Sequence, residues 1–177
     1  IGIIRVSGDE AIEIVDKIFK SNKKDKKLCD VDTHTVHYGH IVDGDKTLDQ
    51  VLVIVMRNPH SYTGEDTVEI DCHGGMLILK KVLDLVIKNG AKVAEPGEFT
   101  KRAFMNGRID LSQAEAVMDL INSKNDFALN CSMEQLKGAV SNKIKDIRSD
   151  IIYHIAFIES ALDDPEHISL DGYTDEI

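Results

Sequence analysis

The residues best suited to chemistry in this chain are two charges set inside apolar strand patterns. Arg5 interrupts the run Ile1-Gly2-Ile3-Ile4 and Val6, and Glu69 stands between Val68 and Ile70. Taking an isolated charge out of water costs several kcal/mol, so each needs a partner or a ligand. Two outcomes are open: an ion pair between Arg5 and Glu69, or a pocket in which both meet a polar ligand. His73-Gly74-Gly75 lies where a strand pattern turns into a helix pattern. Exposed N–H groups at a helix start favour an anion there, although a simple tight turn explains two glycines equally well. The block at 96–111 is dense in glycine and in both charge signs. A loop bearing Arg102 and Arg108 offers forked hydrogen bonds to carboxylates, or else ion pairs on a surface.

Other constellations carry less. His34, His37 and His40 invite a metal reading, but strand alternation puts His34 and His40 on one face and His37 on the other. Cys72-His73 raises a thiolate–imidazole pair, yet adjacent strand residues diverge and no orienting Asp or Asn stands out. No stretch matches G-x-x-x-x-G-K-[ST], so these 177 residues hold no Walker A loop.

The elements that must position these groups follow from periodicity and punctuation. Residues 1–6 predict a strand, and Ser7 with Glu10 predicts a capping box. Ala11, Ile12, Val15, Ile18 and Phe19 then recur at helical spacing. The lysine-rich stretch 20–27 predicts a solvated loop. Residues 35–41 and 50–56 predict strands joined as a hairpin through Asp43-Gly44-Asp45. Residues 67–72 predict another strand, followed by a helix carrying Met76, Leu79, Val82, Leu83 and Val86 that Asn89-Gly90 would stop. A short strand is expected at 92–94. Beyond Asp110 the pattern is helical. Ser112 and Glu115 predict a second capping box, opening a helix to about Asn122. From Leu136 to Leu162 an apolar stripe (Val140, Ile144, Ile147, Ile151, Ile155, Ile158) predicts one long helix ending at Asp163-Asp164-Pro165. Such a helix needs others against it, either in a bundle of its own or from outside this chain. A boundary is expected near residue 110, dividing a mixed region 1–110 from a helical region 111–177. The polar, acidic stretch 166–177 reads as a linker or truncated edge.

Composition bounds the function. With 42% hydrophobic and 29% charged residues, the chain is ordinary globular protein, one domain or two small ones. No apolar run approaches the roughly 20 residues of a membrane-spanning helix. No charged-then-apolar leader is present, so no secretion signal is expected. The chain starts at Ile1 in mid-strand by its pattern and reads as a fragment lacking its natural N-terminus. Lys plus Arg is 21 against 31 for Asp plus Glu, a net charge of −10 that repels phosphate backbones. Nucleic acid would have to be held by a local patch or by another part of an assembly. Cys29, Cys72 and Cys131 are odd in number and form no C-x-x-C. They argue against a disulfide scaffold or structural zinc and fit a reducing cytosol.

Five stretches in order along the chain resemble one family. They are Gly2-Ile3-Ile4-Arg5-Val6-Ser7-Gly8, Ser61-Tyr62-Thr63-Gly64-Glu65-Asp66, Glu69 with Cys72-His73-Gly74-Gly75, Pro96-Gly97-Glu98-Phe99-Thr100-Lys101-Arg102-Ala103-Phe104, and Asp110-Leu111-Ser112-Gln113-Ala114-Glu115-Ala116. Together they are similar to MnmE (TrmE), the family of tRNA uridine-modifying GTPases. The resemblance implies an α+β fold: an aminomethyltransferase-like, folate-binding and dimerisation domain at 1–110, then the first part of a helical domain at 111–177, stopping before a GTPase insert. It implies that an upstream strand, the GTPase motifs, a C-terminal cysteine motif and the remaining helices lie outside this stretch. No catalytic residue is therefore expected within it. The implied cofactor is 5-formyl- or 5,10-methylene-tetrahydrofolate, held by Arg5, Glu69 and Arg108. GTP, Mg2+ and K+ are implied for the full-length family. The implied partners are a second copy, the flavin protein MnmG and tRNA modified at C5 of the wobble uridine, with no membrane and a cytoplasmic setting.

The chemistry of the residues is compatible with that ligand. A pterin edge offers two adjacent N–H donors that one carboxylate accepts in parallel, and the folate tail ends in carboxylates suited to a cation. Which cation meets the tail stays open. The competing readings are a free-standing folate-dependent aminomethyltransferase, and an interaction module in which Arg5–Glu69 is only a structural ion pair.

Overall fold

The computed structural model describes residues 1–22, 26–167 and Tyr173. The chain divides into two compact units, Ile1–Ile109 and Asp110–Ile177. The first contains β1 (Gly2–Ser7), α1 (Ala11–Asp16), β2 (Phe19–Ser21), a 3-10 turn (Leu28–Asp30), β3 (Thr35–Asp43), β4 (Lys46–Met56), β5 (Thr67–Cys72), α2 (Met76–Lys88) and α3 (Glu98–Met105). The second contains α4 (Leu111–Asn122), α5 (Asp126–Leu136) and α6 (Ala139–Asp163). The expected α+β class holds, with a sheet-bearing unit followed by an all-helical one.

The five strands form one antiparallel sheet in the order β1-β5-β4-β3-β2. Alternation decides what each face carries, because successive strand residues point to opposite sides. Ile4 and Val6, Val68 and Ile70, and Val51, Val53 and Val55 face a core completed by Ile12, Ile14 and Val15 of α1 and Val82, Leu85 and Val86 of α2. The intervening residues Ile3, Arg5, Glu69, Asp71, Leu52, Val36 and Tyr38 lie on the other face, where Ile3, Leu52, Val36 and Tyr38 are exposed. A sheet covered on one side only is a common antiparallel solution. It is what lets charges sit inside apolar strand patterns without entering the core.

Several local expectations are corrected. The hairpin is longer than its pattern, because only Gly44 and Asp45 separate β3 from β4. Gly44 has φ +60°, the left-handed conformation such a two-residue turn demands. Helix α1 ends at Asp16, and Phe19, expected on it, starts β2 opposite Ile41. Lys20 is therefore in a strand rather than in the predicted loop, of which residues 23–25 lie outside the described residues. The Ser7–Glu10 capping box does not form, since no side chain caps α1 and the Ser7 hydroxyl is taken by Glu65. The strand expected at 92–94 pairs with no other strand among the described residues. Residues 98–105, read as loop, form a helix after Gly97, whose φ of +79° supplies the left-handed turn into it.

In the second unit the capping box shifts by two residues. Asp110 is the N-cap of α4, its Oδ1 accepting from the Gln113 N–H at 2.9 Å while Gln113 accepts from the Asp110 N–H at 2.9 Å. The Ser112 hydroxyl, followed by the Gln113 N–H, holds the Asp110 carboxyl below its ordinary pKa. The apolar stripe from Leu136 is split: α5 ends at Leu136, and Gly138, at φ +88°, starts α6. Ile144, Ile147, Ile151, Ile155 and Leu162 on α6 are all half exposed or more. Most of the predicted acidic stretch 166–177 lies outside the described residues. Tyr173, within it, stacks 4.4 Å from Phe157.

Candidate functional site

Strand pairing sets Arg5 of β1 directly opposite Glu69 of β5. On the uncovered face the guanidinium reaches the carboxylate: Arg5 Nε donates to Glu69 Oε1 at 2.6 Å and Nη2 lies 2.5 Å from the same oxygen. Both contacts converge on Oε1. Glu69 Oε2 and Arg5 Nη1 thus have no hydrogen-bonding partner among the described residues. The Arg5 side chain is 41% exposed and that of Glu69 16%, so the pair is reachable from solvent while the carboxylate is largely held in place. Of the two outcomes left open by the sequence, the ion pair forms, and each partner keeps an unused hydrogen-bonding atom.

Two aromatic rings flank the guanidinium. Arg5 Cζ lies 5.7 Å from the Phe99 ring centroid and 6.0 Å from that of Tyr62. Tyr62 comes from the turn before β5 and Phe99 from the first turn of α3. The Tyr62 hydroxyl meets the Thr100 hydroxyl at 3.0 Å.

A polar network fixes both elements to β1. Ser7 donates to Glu65 Oε2 at 2.8 Å, so the Thr63 hydroxyl, 2.7 Å away, donates to Ser7. Arg102 Nη1 meets Glu65 Oε1 at 3.2 Å, while its Nε and Nη2 donate to Glu98 Oε1 at 3.0 and 2.8 Å. Hydrogen bonding to Glu98, reinforced by Glu65, raises the Arg102 pKa above its ordinary value. The Glu95 N–H, with Arg102, holds the Glu98 carboxyl below its own. Arg102 therefore does grip carboxylates, as its residue type suggested, but they are the protein's own.

Arg108 follows α3, its backbone N–H donating to the Ala103 carbonyl at 2.9 Å. Its stem lies against Gly64, where a Cβ would come 3.1 Å from Arg108 Cγ. Gly64 also has φ +78°, so two independent constraints favour glycine there. No carboxylate partner of Arg108 and no hydrogen bond from its side chain to Glu69 is found among the described residues. The structure thus joins Arg5 to Glu69 and leaves Arg108 on the neighbouring turn.

A groove of about 1170 Å³ runs beside β1. Its walls include Ile3, Arg5, Ile14, Val93, Phe99 and Met105. On the sheet face beside Glu69, Asp71 has its Oδ1 buried with no partner among the described residues. Sequence reasoning missed Tyr62, Phe99 and Asp71 as neighbours of the pair. A usable signal existed for Asp71, which shares the i, i+2 face of Glu69. None existed for the rings, which arrive from distant segments.

The turn at His73 is built differently from the expectation. Asp49 of β4 accepts the His73 N–H at 2.9 Å on Oδ2 and meets the imidazole Nδ1 at 2.7 Å on Oδ1. An orienting aspartate is therefore present, supplied by another strand. Burial alone would raise the Asp49 carboxyl, but hydrogen bonds from His73 and from the Gln50 N–H outweigh it and leave the pKa below its ordinary value. The anion at this turn is thus the chain's own. Cys72, 2% exposed, takes no part: burial, with Asp49 and Asp71 nearby, pushes its thiol up to about 11. The histidine triplet does not assemble. His34 precedes β3 at φ +57°, and His37 is buried. No group of three metal-ligating side chains occurs among the described residues.

A depressed folded-state pKa stabilises the fold above the unfolded value and ceases to do so as pH falls through the folded one. For Asp49 the stability is therefore full above about pH 4 and lost below it. Urea unfolding of Asp49→Ala is expected to show a loss of about 1–2 kcal/mol at neutral pH and a shallower decline toward pH 3 than the unsubstituted chain. Parallel acid limbs would refute this role.

Comparison with known proteins agrees with this architecture. The profile of the family described as "GTP-binding protein TrmE N-terminus" matches residues 1–108, and that of "MnmE helical domain" matches residues 111–176. A protein of Lachnoclostridium phytofermentans named "tRNA modification GTPase MnmE" is 60% identical over 177 residues, covering 100% of this chain and 39% of its own length. Proteins of the same name from Acetivibrio thermocellus (56% identical, 94% of this chain, 36% of its own length) and Bacillus subtilis (50%, 100% and 39%) are also similar. The chain thus spans about two fifths of the length of these curated relatives. With both profiles matched in sequence order across nearly all of its residues, the chain belongs to the MnmE (TrmE) family.

Proposed function

We propose that this chain is the one-carbon-binding and first helical part of a tRNA modification GTPase. In this reading residues 1–110 bind 5-formyl- or 5,10-methylene-tetrahydrofolate and pair with a second copy. Residues 111–177 begin a helical domain whose remaining helices, together with a GTPase domain binding GTP, Mg2+ and K+, belong to the longer protein. The reaction is aminomethyl-type modification at C5 of the wobble uridine of tRNA, performed with the flavin protein MnmG in the cytoplasm. The relatives carry the name "tRNA modification GTPase", which supports the activity proposed for the whole.

One observation carries the ligand reading. Glu69 and Arg5 each keep an unused hydrogen-bonding atom beside two aromatic rings, and Arg5 and Phe99 line the groove. A flat heterocycle with N–H donors fits that chemistry. Glu69 Oε2 accepts from the ring edge, Arg5 Nη1 donates to a carbonyl or formyl oxygen, and Arg108, without a carboxylate of its own, is available to a tail carboxylate. When bound, the reduced folate supplies the one-carbon unit. The protein's residues bind and orient it, and the rings keep water from its faces. The polar network through Glu65 and Arg102 serves to hold Tyr62 and Phe99 at those distances.

The test is calorimetric titration of 5-formyl-tetrahydrofolate into the chain. Saturable one-site binding is expected. Absence of heat and of competition at millimolar ligand would leave Arg5–Glu69 as a structural ion pair and reject the folate reading.

A further inference from the structure

We infer that the groove beside β1 is the seat of one further β-strand, which pairs with β1 on one side and with residues 92–94 on the other. The inference is independent of the folate reading. β1 is the end of the sheet and bonds only to β5. The Gly8 N–H donates to the Asp66 carbonyl at 3.0 Å, in the register of the β1–β5 ladder. Antiparallel bonding alternates, so Val6, Ile4 and Gly2 also bond across to β5. The N–H and C=O groups of Ile3, Arg5 and Ser7 therefore point out of the sheet edge, where no backbone bond satisfies them among the described residues. Lys92, Val93 and Ala94 line the same groove, and they too make no backbone hydrogen bond among the described residues. Their sequence pattern is that of a strand, yet Val93 is 67% exposed. Backbone polar groups in this setting call for partners, and one extended segment between the two rows supplies them to both.

The groove suits a polypeptide better than a small molecule. Its volume of about 1170 Å³ exceeds the roughly 300–1,000 Å³ of small-molecule pockets. Ile14 of α1 and Val86 and Ile87 of α2 give it apolar lining, which fits a strand with apolar residues at alternate positions. The two edges of the sheet also differ. β2 has three residues and carries Lys20, both features that keep an edge from pairing. β1 has six residues, with neither lysine nor proline. Such an edge left open invites aggregation, and an added strand closes it. The occupant is an extended segment of the same polypeptide, joined to Ile1 in a longer protein of the relatives' length. Ile1 leads straight into β1, so one hairpin reversal lays that segment antiparallel along Ile3, Arg5 and Ser7. Closing a short loop costs less entropy than docking a separate chain. The added backbone lies in the plane of the sheet and leaves the uncovered face of Arg5 and Glu69 open.

The experiment measures amide hydrogen exchange and thermal melting on this chain and on the chain lengthened by the residues that precede Ile1 in the longer protein. Lengthening is expected to slow exchange at Ile3, Arg5 and Ser7 roughly tenfold or more, to protect an amide within 92–94, and to raise the melting temperature. Adjacent strand residues turn their N–H groups to opposite sides, so one of Val93→Pro and Ala94→Pro removes a bond to the added strand. That variant is expected to lower the melting temperature of the lengthened chain while leaving this chain nearly unchanged. Unaltered exchange at Ile3, Arg5 and Ser7 on lengthening would overturn the inference. So would proline variants that destabilise both chains equally. Protection of the β1 edge in this chain that grows with protein concentration would assign the groove to a second copy and overturn it as well.

Discussion

Glu69→Gln is expected to weaken binding of 5-formyl-tetrahydrofolate by about 1.5–3 kcal/mol, the range for a hydrogen bond to a charged group. The amide keeps the volume of the carboxylate but loses its charge and turns one acceptor into a donor. Against a ligand edge carrying two N–H donors, that substitution sets donor against donor. The same change is expected to move thermal stability little. Its partner Arg5 is 41% exposed, and ion pairs of that kind contribute about 0–1 kcal/mol. Calorimetry and melting curves on one variant therefore separate a ligand-binding role from a structural one. Unchanged affinity would remove Glu69 from the site, and a large fall in melting temperature would reassign it to the fold.

Ile70→Ala, one residue further along β5, is expected to do the reverse. Ile70 is fully buried, pairs with Ile4 and Val53 on neighbouring strands, and belongs to the core beneath α1 and α2. Truncating such a side chain costs about 2–5 kcal/mol, because transfer energy is lost and the cavity collapses only in part. Denaturant midpoints are expected to fall sharply. Folate affinity, measured where the variant is still folded, is expected to stay near that of the parent, since the side chain faces away from Arg5. A loss of stability under about 1 kcal/mol would mean that the alternation assigned to β5 is wrong.

The contrast between these neighbours also explains how much the sequence revealed. A charge between two β-branched residues marks a strand position that needs a partner or a ligand, and that was readable at Arg5 and Glu69; that both lie on an open face was not. The helices α2 and α4 and the turns at Gly44 and Gly90 followed from local chemistry, through apolar spacing and glycine at positive φ. The misread elements depended on partners far away in sequence. Ser7 had the right type for a cap, but Glu65, 58 residues later, claimed its hydroxyl. The 98–105 segment looked like a loop because the block around it is dense in glycine and in both charge signs. Glu98 and Arg102 pair with each other across one helical turn and Arg102 also reaches Glu65, a partner more than thirty positions away in the chain. An orienting Asp for His73 could not be found near it in the chain because Asp49 sits on β4.

By itself, the sequence determined that this is an α+β chain with a helical second part, that a guanidinium and a carboxylate each stand inside an apolar strand, and that the motifs resemble those of tRNA-modifying GTPases. All of this is written in short-range periodicity and in residue types. Only the tertiary structure decided that Arg5 and Glu69 share a face and bind each other through one carboxylate oxygen, that Tyr62 and Phe99 flank the guanidinium, and that Arg102 ties Glu65 of the turn before β5 to Glu98 of α3. The reason is physical. Strand register and helix docking set distances between residues dozens of positions apart, and those are settled by burial of the whole core rather than by any local signal.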